Sequence, residues 1–172
     1  MADTIGKERQ AEAALYRNDI WSQMFPNIVS LEKVYDKERQ ISGIDYIVKS
    51  NNGESINVDL KTQIGTDYHM HEHDYVGSPD RGYQSIDGIV IEVDQYAGGE
   101  WSHTNKENKA TDYMLYYVKD LHGERCYLID YKSIMLFSEK HEKYVEQTSF
   151  NGTGHYIKVP FYMLNVRKVV KV

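Results

Sequence analysis

The spacing of apolar residues changes twice along the chain. Ala11, Ala14, Leu15, Trp21 and Met24 recur at helical intervals, which predicts a helix over residues 3–24, closed by Pro26. Asn18 interrupts its apolar stripe. From Ile28 the period shifts toward two. Strands are expected near residues 28–35, 43–49, 55–62, 86–93, 112–118 and 125–131. Residues 132–144 return to helical spacing, with Ile134, Met135 and Phe137 on the inner side. The tail from Tyr156 reads as a strand, and Pro160 assigns it to a sheet edge. Residues 64–85 and 97–110 are polar, glycine-containing connections. Helix, strand meander, helix and strand predict a mixed α/β fold. No repeat or linker divides the sequence, so residues 1–172 are read as one domain.

The stretch from Gly43 to Gln63 carries the most specific local information. Asn51-Asn52-Gly53 separates two alternating runs, and Gly53 stands where a three-residue hairpin loop needs a left-handed residue. Closing the loop there pairs Ser50 with Glu54. Ile44, Tyr46 and Val48 then face Leu60, Val58 and Ile56 across an apolar side that a one-residue slip would destroy. On the other side Asp45 faces Asp59, with Lys61 one step beyond. Paired Cβ atoms lie roughly 5 Å apart, so the two carboxylates repel unless a proton or a cation intervenes. An all-oxygen ligand set favours magnesium or manganese over zinc. The lysine has the charge to orient a water or to stabilise a phosphoryl transition state. The competing structural reading is a solvated sheet face on which Lys61 neutralises two aspartates.

Asp45 followed by Asp59-Leu60-Lys61 on the next strand resembles the active-site signature of the restriction-endonuclease-like, or PD-(D/E)xK, phosphodiesterase superfamily. Ile44 stands where the signature has proline. The resemblance covers about residues 36 to 63, and Asp36 and Gln40 are similar to the approach to the motif in some members. It implies a restriction-endonuclease-like three-layer domain with a central mixed sheet flanked by helices. It also implies that Asp45, Asp59 and the Leu60 backbone carbonyl hold Mg2+ (or Mn2+), and that Lys61 positions the attacking water. Gln63 resembles a glutamine that some branches carry two residues after the lysine. Glu12 or Glu8 is the candidate for an acid contributed by the first helix. The pattern acid-x-Lys recurs at Glu107-Asn108-Lys109 and Asp130-Tyr131-Lys132, but neither has a facing aspartate set by an apolar register.

Composition narrows the function classes. Twenty basic against 26 acidic residues give a net charge of −6, which excludes a globally basic nucleic-acid coat but not a local basic groove. Cys126 is the single cysteine, so neither an intramolecular disulfide nor a multi-thiolate zinc site can form within the chain. The polar N-terminus lacks a secretory pattern and no run is apolar enough to span a membrane, so a cytoplasmic protein is expected. Residues 151–172 hold Lys158, Arg167, Lys168 and Lys171 and no acid. With Tyr156, Phe161 and Tyr162 they suit a phosphate-tracking surface, or equally a lysine-protected edge strand. Lys158, Arg167 and Lys168 are the substrate-binding candidates.

His69, His71 and His73 alternate in a segment read as a solvated loop, with zinc binding and an overhang of the active site as alternatives. The expected activity is metal-dependent hydrolysis of nucleic acid, with DNA as the expected partner and a homodimer left open. The alternative is a non-catalytic module that binds nucleic acid or protein on the same fold.

Overall fold

The computed structural model describes residues 4–64, 86–97, 100–103, 110–140 and 154–172. The elements run α1 (Thr4–Arg17), α2 (Ile20–Met24), β1 (Ile28–Lys33), α3 (Lys37–Ile41), β2 (Tyr46–Ser50) and β3 (Ser55–Ile64). They continue with β4 (Gly88–Ala97), β5 (Glu100–His103), β6 (Tyr113–Asp120), β7 (Gly123–Asp130), α4 (Tyr131–Lys140) and β8 (Gly154–Pro160). A 3-10 turn over Phe161–Met163 leads into β9 (Val166–Lys171). The fold is mixed α/β. Six strands form a mixed sheet in the order β1-β2-β3-β6-β7-β9, and a second sheet has the order β5-β4-β8. The β3–β6 step is parallel, while the other steps of the large sheet are antiparallel. No helix among the described residues is long and apolar enough to cross a membrane.

Alternation along the central strands separates two apolar clusters. Leu60, Leu115, Tyr117, Cys126, Leu128 and Val170 point to one face, where Ala11, Ala14, Leu15, Ile20 and Trp21 of the first two helices cover them. Met114, Tyr116, Val118 and Ile129 point to the other, against Ile134 of α4 and Ile89 and Val159 of the small sheet. The predicted first helix is two helices. Asp19 adopts φ 52°, and the Asn18 amide bonds back to the Ala14 carbonyl, so the polar interruption of the stripe is where the chain turns. Helix α3 was not predicted, since five residues carry no measurable period; Asp36 caps it by accepting from the Glu38 N–H at 2.9 Å.

The basic tail is not one strand. It breaks after Pro160 into β8 and β9, which belong to different sheets. Pro160 ends β8, an edge strand as its missing N–H requires. Strand β5, whose Trp101 pairs with Tyr96, occupies part of the stretch read as a connection.

A buried clasp ties the β6–β7 turn to the start of β4. The Asp120 carboxylate, 0% exposed, accepts from Arg125 Nη1 at 2.7 Å and from the Ile86 N–H at 2.7 Å, and Arg125 Nη2 donates to the Ile86 carbonyl at 2.8 Å. Burial works against the charge of Asp120, but Arg125 and the N–H groups of Ile86 and His122 outweigh it and hold the carboxyl below its ordinary value. A lowered folded pKa contributes stability above the unfolded value, and that stability is lost as pH falls through the folded value. Asp120→Asn is expected to cost about 3 kcal/mol at pH 7 in urea denaturation. The gap to wild type should narrow below about pH 4; a gap independent of pH would contradict this account.

Candidate metal centre

The hairpin between β2 and β3 positions the acidic pair. Ser50 N–H donates to the Glu54 carbonyl at 2.9 Å and Gly53 takes φ 85°, closing the three-residue loop. The register follows as Tyr46 opposite Val58 and Val48 opposite Ile56, with Tyr46, Val48 and Val58 in the core. The ladder stops at Tyr46, so the expected pair of Ile44 with Leu60 does not form. Instead, Asp45 Oδ2 accepts from the Leu60 N–H at 2.9 Å. A side chain has replaced a rung of the ladder, and β3 runs on beside β6 alone. A strand residue points its N–H and C=O to the same side, so the Leu60 carbonyl faces toward Asp45.

Asp45 and Asp59 come within hydrogen-bonding reach of each other. Asp59 is 2% exposed, and its Oδ1 lies 3.0 Å from Lys61 Nζ, whose side chain is half exposed. Burial, followed by repulsion from Asp59 and a hydrogen bond with it, pushes the Asp45 carboxyl up to about 7. Desolvation opposes the charge on Lys61, but Asp59 and Asp45 together hold its ammonium above the ordinary lysine value. One cation therefore serves two carboxyl groups, and the site makes up the difference by binding a proton. The excess negative charge of such a pair can be balanced by a proton or by a hard cation.

Gln63 lies one step past Lys61 on the same strand side and is buried, accepting at Oε1 from the Tyr116 hydroxyl at 2.6 Å. Its oxygen is thus committed, which leaves the amide as a donor. Glu12 is engaged elsewhere, accepting from Lys33 Nζ and from the Tyr46 hydroxyl at 2.5 Å. Tyr46 packs on the helical side, so Glu12 is not brought together with the two aspartates. Burial opposes ionisation of Glu12, but its bonds to Lys33 and Tyr46 leave the carboxyl below its ordinary value. Glu8, one turn earlier and exposed, is the acid of α1 whose charge reaches Lys61. Among the described residues no three His, Cys, Asp or Glu side chains gather into a metal-sized group.

The basic candidates are dispersed. Lys158 lies on β8 opposite Val90 in the small sheet. On β9 of the large sheet, Arg167 Nη2 meets Asp130 Oδ2 at 3.3 Å, while Lys168 Nζ donates to the Gln23 carbonyl of α2. Asp130-Tyr131-Lys132 straddles the end of β7 and the start of α4, and Asp130 accepts from the Lys132 N–H. His69, His71, His73 and Glu107-Asn108-Lys109 lie outside the described residues.

Three residues near the site were not read from the sequence as part of it. Thr111 and Asp112 bond to the approaches of both aspartates, and Tyr131 is buried near enough to Asp59 that the carboxylate adds to the upward push of burial on its phenol. No pattern of period or spacing marks them, since each acts through a long-range contact. The chain matches no family model, no curated protein and no solved structure.

Proposed function

We propose that the protein is a magnesium- or manganese-dependent phosphodiesterase acting on nucleic acid, with DNA as the expected substrate. The observation that carries the reading is the meeting of Asp45 and Asp59, from two successive strands, beside the ammonium of Lys61. The fit to a hard cation rests on the same pair, because Asp45 takes a proton near neutral pH where a divalent ion would serve both carboxylates. Asp45, Asp59 and the Leu60 carbonyl would hold the ion, which would supply Lewis-acid polarisation of a phosphoryl oxygen. Lys61, half exposed, is free to donate to the attacking water or to the charge developing on phosphorus-bound oxygen. Gln63 offers its amide hydrogens from the same strand side. The three-layer restriction-endonuclease-like architecture belongs to this proposal, with α1 and α2 packed on one face of the large sheet and α4 on the other. A cytoplasmic setting accompanies an intracellular nucleic-acid substrate.

The non-catalytic module is the second reading. It is favoured by the near-complete burial of Asp59 in an ion pair. One experiment separates the two. Purified protein is incubated with linear, circular, single-stranded and branched DNA and with RNA, with and without Mn2+. Metal-dependent cleavage that disappears in Asp59→Asn supports the nuclease. Binding without cleavage in every arm would leave the module.

A further inference from the structure

One short segment fastens the approaches to both aspartates. Thr111, buried to 9% exposure, donates its hydroxyl to the Gly43 carbonyl at 2.7 Å, two residues before Asp45. The next residue, Asp112, grips β3 at Asn57, two residues before Asp59. Its carboxylate accepts from the Asn57 N–H at 2.8 Å, its own N–H donates to the Asn57 carbonyl at 2.9 Å, and the Asn57 side chain donates to the Ala110 carbonyl at 2.8 Å. Gly43 itself takes φ 80° as the chain leaves α3, with its N–H bonded to the Gln40 carbonyl. The paired register between β2 and β3 ends at Tyr46, and the last main-chain tie is the Asp45 N–H donating to the Val58 carbonyl at 3.0 Å. The Thr111 hydroxyl joins the approach to Asp45 to the segment that holds β3.

We infer that Thr111 is a positioning residue for the acidic pair: its hydroxyl fixes the Gly43 peptide and thereby holds Asp45 against Asp59 in the separation that a divalent cation requires. The inference deepens the metal-site reading and rests on it for its consequence, although the geometry it asserts can be read without metal.

The test compares Thr111→Val, which keeps the shape and removes the hydroxyl, with Thr111→Ser, which keeps the hydroxyl. Mn2+ affinity is measured by calorimetry, and hydrogen exchange is followed at the Leu60 amide, the donor to Asp45, with the Leu115 amide as the reference for global opening. Thr111→Val should weaken Mn2+ binding roughly tenfold, as loss of an outer-shell partner does, and should speed exchange at Leu60 relative to Leu115. Thr111→Ser should hold both near wild type. Thr111→Ala is expected to show the valine losses and replaces that variant if it does not fold. Unchanged Leu60 protection and Mn2+ affinity in Thr111→Val, or equal losses in Thr111→Ser, overturn the inference. If the wild type binds no Mn2+, the metal reading falls, and the Leu60 exchange still decides whether Thr111 holds Asp45.

Discussion

Asp45→Asn and Asp59→Asn should each reduce metal-dependent cleavage to background and eliminate Mn2+ binding, yet Asp45→Asn should make the metal-free protein more stable at pH 8. The opposed directions follow from the geometry. Two carboxyl groups share one lysine, and the native state holds Asp45 protonated up to about pH 7. A carboxyl whose folded pKa is raised contributes stability below its unfolded value of 3.8, and that contribution is lost as pH climbs through about 7. The metal-free wild type should therefore weaken between pH 4 and pH 8. Asparagine at position 45 still accepts from the Leu60 N–H without the charge, and should raise stability at pH 8 on the order of 2 kcal/mol. That corresponds to roughly 4–8 °C in Tm for a chain of this size. Thermal melts at pH 5 and pH 8, with and without Mn2+, check both halves. A destabilised Asp45→Asn that still bound Mn2+ would contradict them together.

Lys61→Met gives the second large effect and splits it differently. The ammonium competes with a cation for the same carboxylates, so Mn2+ should bind the variant at least as tightly as wild type. Cleavage should nevertheless fall about 10²–10³-fold, the scale on which loss of a single transition-state donor is felt. Lys132→Ala is the control, since Lys132 follows the same acid-x-lysine spacing but stands at the start of α4 and not on β3. Single-turnover cleavage and calorimetry on both variants provide the comparison. Equal cleavage by the two would falsify the role given to Lys61.

The hairpin was readable because two independent signals agreed on it. The left-handed Gly53 set the loop, and the apolar faces of Tyr46, Val48 and Val58 set the register. The meeting of Asp45 with Asp59 followed, although the rung beyond Tyr46 is a side-chain bond where a backbone pair was expected. Period alone could not reveal that substitution, because an aspartate accepting from a strand N–H leaves no trace in the alternation. The tail was misread for a related reason. The tail from Tyr156 onward looks continuously strand-like, and whether a proline marks an edge or a passage between sheets depends on partners far away in sequence. Helix α1 was legible from Ala11, Ala14 and Leu15, whereas the kink at Asp19 depends on a single backbone conformation. Glu12 was a reasonable candidate by position, but its partners, Lys33 and Tyr46, are 21 and 34 residues away.

Tyr46 has an importance beyond its place in the core. It is the immediate neighbour of Asp45, its hydroxyl reaches Glu12 on α1, and its ring lies 4.8 Å from that of Trp21. The leading helix is in effect leashed to the acidic pair through one peptide unit. Anything that prised that helix away would slacken the leash and disturb the acidic pair from behind, so the geometry of the pair depends on how firmly the helix stays docked.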